Sequence, residues 1–215
     1  MKESWSLLEE DKPPENWRTN PDILNIADIV ENAVSEGPGV RFVIWLQGCP
    51  IRCEGCWNSH MWDFSPKHLV MVDKLAKYII SKKDKLEGIT LVGGEPLAQA
   101  AAVRKLMDAV KEHGLTVVLY TGYNEEEIID ENAKMCFNAA DIVIAGPYIK
   151  EKRNLFLRWR GSENQNLIFH NKDYEKKYGD ELKENIVELH ITEENGEIVM
   201  IGFPVEEIKK EVRKW

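Results

Sequence analysis

Four short apolar runs decide what this chain can fold into. "VRFVIWL" (Val40–Leu46), "GITLV" (Gly88–Val92), "LTVVLY" (Leu115–Tyr120) and "DIVIA" (Asp141–Ala145) are apolar at successive positions and rich in β-branched side chains. Each predicts a strand buried on both faces. Between them the apolar period changes. After Pro66, Val72, Leu75 and Ile79 fall at helical spacing; Val103, Leu106, Met107 and Val110 recur at i, i+3, i+4 and i+7; a further helix is expected from Glu125 to Lys134. Doubly buried strands alternating with amphipathic helices predict α/β architecture, a parallel sheet covered by helices through right-handed crossovers.

Beyond Lys150 the pattern breaks. "IVELHI" and "EIVMI" flank "TEENGE", whose Asn195-Gly196 suits a hairpin turn, and a last amphipathic helix is expected from about Val205 to the C-terminus. At the other end, Pro13, Pro14 and Pro21 stand among charges and suggest a loosely packed arm. The resulting division is an N-terminal arm (1–34), a core (35–150) and a C-terminal elaboration of the same domain (151–215). The 215 residues suffice for one ordinary domain. No apolar run approaches membrane-spanning length, and the polar N-terminus has no signal-peptide core, so a cytoplasmic protein without membrane contact is expected. A formal net charge of -9 gives no general footprint for nucleic acid.

The expected strand ends gather the unusual residues. Cys49 follows the first strand, "GGEP" (Gly93–Pro96) the second, "TGY" (Thr121–Tyr123) the third and "GPY" (Gly146–Tyr148) the fourth. In parallel α/β sheets and barrels that carboxyl edge is where ligands bind. The segment "LQGCPIRCEGCWN" (Leu46–Asn58) holds three of the four cysteines, spaced C-x3-C-x2-C. Closed structural zinc sites take four ligands. His60, four residues after Cys56, keeps a Cys3His zinc site open as a reading. A ferredoxin supplies four thiolates to a cubane. Three thiolates leave one iron of a cubane free for an outside ligand. Cys136 has no partner at ligand spacing and reads as a buried small hydrophobe.

A C-x3-C-x2-C loop after the first strand with Gly-Gly-Glu-Pro after the second resembles the radical S-adenosylmethionine (SAM) superfamily. "EGPGVRFVIWLQGCPIRCEGCWN", "LYTGY", "GPYI" and "LRWRGSENQ" (Leu157–Gln165) are similar to the activating enzymes of glycyl radical enzymes, and within them to the activators of anaerobic ribonucleoside-triphosphate reductase. The likeness runs from about Ser35 to Ile168. Gly55 stands where many superfamily members have an aromatic, and Ala145 where Asp often precedes Gly-Pro.

The resemblance implies a partial (β/α) barrel, with the hairpin and helix added at the C-terminus. It implies a [4Fe–4S] cluster on Cys49, Cys53 and Cys56, which form the metal and catalytic centre, and SAM as second cofactor. Gly93, Gly94, Glu95, Pro96, Thr121, Trp57, Asn58 and Arg160 are the implied cofactor-binding residues. The implied activity is reductive SAM cleavage, with the 5′-deoxyadenosyl radical generating a glycyl radical on a partner, anaerobic ribonucleotide reductase first. Flavodoxin or ferredoxin is the implied electron donor. Two rival readings remain: a radical SAM enzyme acting on a peptide or small molecule such as a deazapurine precursor, and a non-catalytic iron–sulfur or zinc protein.

Overall fold

The computed structural model describes Leu8 and residues 15–179, 186–191 and 198–202. In chain order the elements are β1 (Ile23–Ala33), β2 (Arg41–Leu46), β3 (His68–Met71), α1 (Val72–Ile80), β4 (Gly88–Gly93), α2 (Ala100–Lys111), β5 (Thr116–Thr121), α3 (Glu131–Ala139), β6 (Ile142–Ala145), β7 (Asn166–Phe169), α4 (Lys172–Tyr178), β8 (Glu188–Ile191) and β9 (Ile198–Ile201). The main sheet has the order β3-β1-β2-β4-β5-β6-β7. Its centre, β2-β4-β5-β6, is parallel and consists of the four expected strands. It ends in β3 and β7 rather than closing on itself, a partial barrel.

Three strands lie outside the sequence reading. β1 falls inside the segment set apart as an arm, yet it pairs antiparallel with both β2 and β3. Its register shifts between Ile26 and Asp28 and again between Val30 and Ala33. Such bulges put two residues opposite one, so the apolar residues of "ILNIADIVENA" lose the two-residue period that marks a strand. β3 and β7 are four residues each, too short to carry a period.

The helix expected at Glu125–Lys134 also needs correction. Asn124 and Glu127 cap a separate short turn at Glu125–Glu127, and Asp130 then caps a new helix, α3, by accepting from Ala133 N at 2.9 Å. Two successive N-caps split one stretch of helical composition into two elements. β8 and β9 pair antiparallel as the hairpin reading requires. The Asn195-Gly196 turn and the helix from Val205 lie outside the described residues.

The sheet has two unlike faces. Phe42, Ile44, Leu46, Ile89, Leu91, Val117 and Leu119 pack with the apolar sides of α1, α2 and α3. Val43, Trp45, Val118, Tyr120, Ile142 and Ile144 face the opposite way, into the concave interior. Arg41, fully buried at the amino-terminal end of β2, binds across three strands. Its Nε donates to Thr90 Oγ1 at 2.8 Å, Nη1 to Pro38 O at 3.1 Å and Nη2 to Thr116 O at 3.0 Å. No helix among the described residues is long and apolar enough to cross a membrane.

Removing the Arg41 guanidinium strands several buried acceptors at once. Arg41→Ala should lower the unfolding free energy by about 3 kcal/mol, read from urea denaturation. A loss below about 1 kcal/mol would mean that water replaces the guanidinium.

Candidate active site at the carboxyl edge of the sheet

The loop after β2 takes the left-handed region at Gly48 (φ 98°), Arg52 (φ 54°) and Gly55 (φ 75°). Turns of this hand curl it back so that its three cysteines line one open cleft of about 960 Å³, part of it open solvent. Cys49 is buried, and Cys53 and Cys56 are half-buried. Backbone hydrogen bonding from Arg52 and Ile51 favours the Cys49 thiolate, and from Tyr148 the Cys53 thiolate. Burial pushes both thiols up, and this hydrogen bonding acts against it.

The Gly-Gly-Glu-Pro turn holds this loop. Gly94 N donates to Leu46 O at 2.8 Å, and Glu95 N donates to Gly48 O at 2.9 Å. A Cβ at Gly94 would lie 2.3 Å from Gly48 O, and one at Gly93, whose φ is 109°, would lie 2.6 Å from Leu46 N. The two glycines therefore let the turn close on the backbone of the cysteine loop, while still lining the cleft. Glu95 is buried, with Oε1 accepting from Leu97 N (2.9 Å) and Thr121 Oγ1 (3.0 Å) and Oε2 from Gly122 N (2.8 Å). Burial still outweighs these bonds and pushes its carboxyl up to about 7.

Most residues singled out from the sequence meet here. Cys49, Cys53, Cys56, Trp57, Asn58, Gly93, Gly94, Glu95 and Thr121 all line the cleft. Thr121 has its hydroxyl engaged, donating to Glu95 and accepting from Tyr123 N at 3.2 Å. Pro96 and Arg160 are not among the lining residues. Pro96 is buried and opens the short helical turn Pro96–Gln99. Arg160 instead donates through Nη1 to Gln165 O at 3.3 Å. The lining arginine is Arg153. Sequence reasoning missed it, together with Tyr120 and Gln165. The strand alternation of β5 already puts Tyr120 on the interior face, whereas Arg153 and Gln165 come from irregular loop.

His60 is exposed and does not line the cleft. No group of three or more His, Cys, Asp or Glu among the described residues is placed to hold a single metal ion. Three sulfurs around an open cleft, two of them favoured as thiolates by backbone hydrogen bonding, fit a cubane cluster with one iron left to an outside ligand.

An α/β sheet with a three-cysteine loop over its carboxyl edge defines the class, a single-cluster iron–sulfur protein. The family model described as "4Fe-4S single cluster domain" matches residues 35–168, and the chain belongs to that family. Among curated proteins it is 34% identical over 139 residues to the anaerobic ribonucleoside-triphosphate reductase-activating protein of Vibrio cholerae, covering 61% of this chain and 89% of that protein. The protein of the same name from Enterobacteria phage T4 is 35% identical over 138 residues, covering 61% and 85%. The pyruvate formate-lyase-activating enzyme of Staphylococcus aureus is 37% identical over 91 residues, covering 40% and 36%. These are radical SAM activating enzymes, and the cofactors that go with the membership are a [4Fe–4S] cluster and SAM.

Two expectations follow. Because a Cβ at Gly94 collides with the carbonyl of the cysteine loop, Gly94→Ala should lower bound iron and sulfide after anaerobic reconstitution at least several-fold. Cys136→Ser should leave both unchanged, since Cys136 is fully buried in α3 against Ala100 O. The reverse pattern would remove the turn from the site.

The second concerns pH. Glu36, also buried, is pushed up to about 7 like Glu95, from an ordinary 4.5. Between those values the folded chain binds more protons than the unfolded one, so stability falls as pH rises through that window. The thermal midpoint should drop between about pH 5 and about pH 8, and Glu36→Gln should flatten that drop. A midpoint that rises with pH would contradict the assignment.

Proposed function

We propose that this chain activates a glycyl radical enzyme, and that the partner is an anaerobic ribonucleoside-triphosphate reductase. The observation that carries the reading is the three-cysteine loop above a cleft at the carboxyl edge, in a chain that covers 89% of the length of a reductase activator. The pyruvate formate-lyase activator is matched along only 36%, which favours the reductase.

Cys49, Cys53 and Cys56 would hold the [4Fe–4S] cluster, with SAM bound beside it in the same cleft. When bound, the cluster would supply the electron for reductive cleavage of SAM, the chemistry that generating a glycyl radical on the partner needs. The chain's own residues set the conditions. N–H groups of Ile51, Arg52 and Tyr148 temper the negative charge on the sulfurs, which eases reduction. Ile51, Trp57, Trp62, Tyr120 and Tyr148 give the cleft a largely apolar wall that keeps water from a reactive radical. Arg153 offers a cation for the SAM carboxylate. The cleft stays open on one side, as a protein substrate requires. The electron comes from a flavodoxin or ferredoxin, and the setting is an oxygen-poor cytoplasm.

The test mixes reconstituted protein, SAM, a reductant and anaerobic ribonucleotide reductase without oxygen. A doublet electron paramagnetic resonance signal on the reductase is expected, and Cys53→Ser should abolish it. Rapid conversion of SAM to 5′-deoxyadenosine with no radical on the reductase would overturn the partner while leaving the radical chemistry intact.

A further inference from the structure

Residues 152–163 form a closed loop that begins at the cleft and ends in solvent. Arg153, which lines the cleft, faces Ser162 across an antiparallel bridge. Glu163 N donates to Lys152 O at 2.9 Å, and Asn154 Nδ2 donates to Glu163 Oε1 at 2.9 Å. Gln165 Oε1 accepts from Gly161 N at 2.8 Å and Ser162 N at 3.2 Å. The loop is also anchored in its middle. Trp159 is 1% exposed and packs into the concave interior with Val118, Tyr120, Ile142, Ile144 and Tyr174. It does so at φ 62°, a left-handed conformation that costs a non-glycine residue about 1 kcal/mol, less than burial of an indole returns.

Its tip points the other way. Phe156 is 78% exposed, while its N–H donates to Asn154 Oδ1 at 2.9 Å and fixes it in a turn. A loop fastened at its base and middle therefore holds a large aromatic side chain in water. Such a side chain loses little freedom on contact with a partner, which is what an anchor residue needs. The charge is equally local. Loop 152–163 carries Lys152, Arg153, Arg158 and Arg160 against the single carboxylate of Glu163, in a protein whose net charge is -9.

We propose that loop 152–163 is the docking element for the protein substrate. The partner segment presents carboxylates to Lys152 and its cationic neighbours and an apolar side chain to Phe156, and the stretch beyond it enters the cleft past Arg153. The occupant is thus an acidic polypeptide segment with an apolar anchor. Phosphate-bearing nucleic acid would meet the same cations, but the acidic remainder of the surface repels a long polyanion. The proposal builds on the reading that the substrate is a protein.

The test uses the double variant Lys152→Glu/Phe156→Asp in the full-length, cluster-loaded protein. Both side chains are exposed and neither lines the cleft. Three probes are compared at low and high salt: anaerobic ribonucleotide reductase, a short synthetic Glu-rich peptide with one Phe and a central Gly, and a single-stranded RNA oligonucleotide. Wild type should bind the reductase and the peptide, and the variant should bind both about tenfold more weakly at low salt, with a smaller deficit at high salt. Its SAM cleavage without partner should match wild type. If the variant binds the peptide as tightly as wild type does, the docking proposal fails. It fails equally if the oligonucleotide binds wild type more tightly than the peptide does. If wild type binds the peptide and the variant does not, yet neither engages the reductase, docking stands and the reductase assignment falls.

Discussion

Three strand ends meet on one buried glutamate. Glu95 follows β4, its side chain accepts from Thr121 and Gly122 at the end of β5, and its backbone N–H donates to Gly48 in the loop after β2. Burying a carboxyl costs several kcal/mol unless its acceptors are filled; here three donors fill them, and the group still sits near 7. Glutamate suits this position because its two oxygens reach donors at the end of β5 and in its own helical turn. The cysteine loop takes its place from the same network. Gly48 is fastened through its carbonyl to Glu95 and through its N–H to Met61 O at 2.8 Å, and Cys49 N donates to Trp62 O at 3.1 Å. The start of the cysteine loop is therefore held by backbone bonds, with glycine at 93 and 94 permitting the contact.

The parallel centre of the fold was legible because doubly buried strands announce themselves as apolar runs. All four such runs became β2, β4, β5 and β6 in that order. The antiparallel additions were not legible. β1 carries two register shifts, so its apolar residues follow neither a clean two-residue nor a clean helical period. α3 was misplaced because Asn124 and Asp130 each provide a cap, and only the structure tells which cap starts the long helix.

The site divides along the same line. Residues fixed by their place at a strand end were found, because the end of a parallel strand is a position a sequence reveals. The three cysteines, the two glycines, Glu95 and Thr121 all belong to that group. The basic residue of the cleft belongs to irregular chain, where Arg153 and Arg160 stand seven positions apart and nothing in the periodicity ranks them. The closure of loop 152–163 makes the choice, turning Arg160 toward Gln165 O and leaving Arg153 on the cleft wall. The glycines carry a second lesson. Their identity suits close approach of a ligand, yet the atoms that a side chain would strike are protein backbone.

The interior of a partial barrel has two ends, and this chain fills one of them. At the amino-terminal ends of the strands, Arg41 spans β2, β4 and β5, and Tyr174 of α4 reaches Thr116 Oγ1 at 3.1 Å. The C-terminal hairpin adds to the seal. Glu188 Oε2 accepts from Val34 N at 2.8 Å and Ser35 N at 2.7 Å, and Ile201 packs with Ala27, Val43, Trp45 and Met61 on the interior face. With that end occupied by side chains, the cleft communicates with solvent at the carboxyl edge, beside the cysteine loop and loop 152–163. Under the proposed function, the protein substrate approaches from the side that carries the cationic loop. Filling that end thus does two things together: it buries the apolar interior that stabilises the sheet, and it leaves the carboxyl edge, with its three cysteines, as the open one.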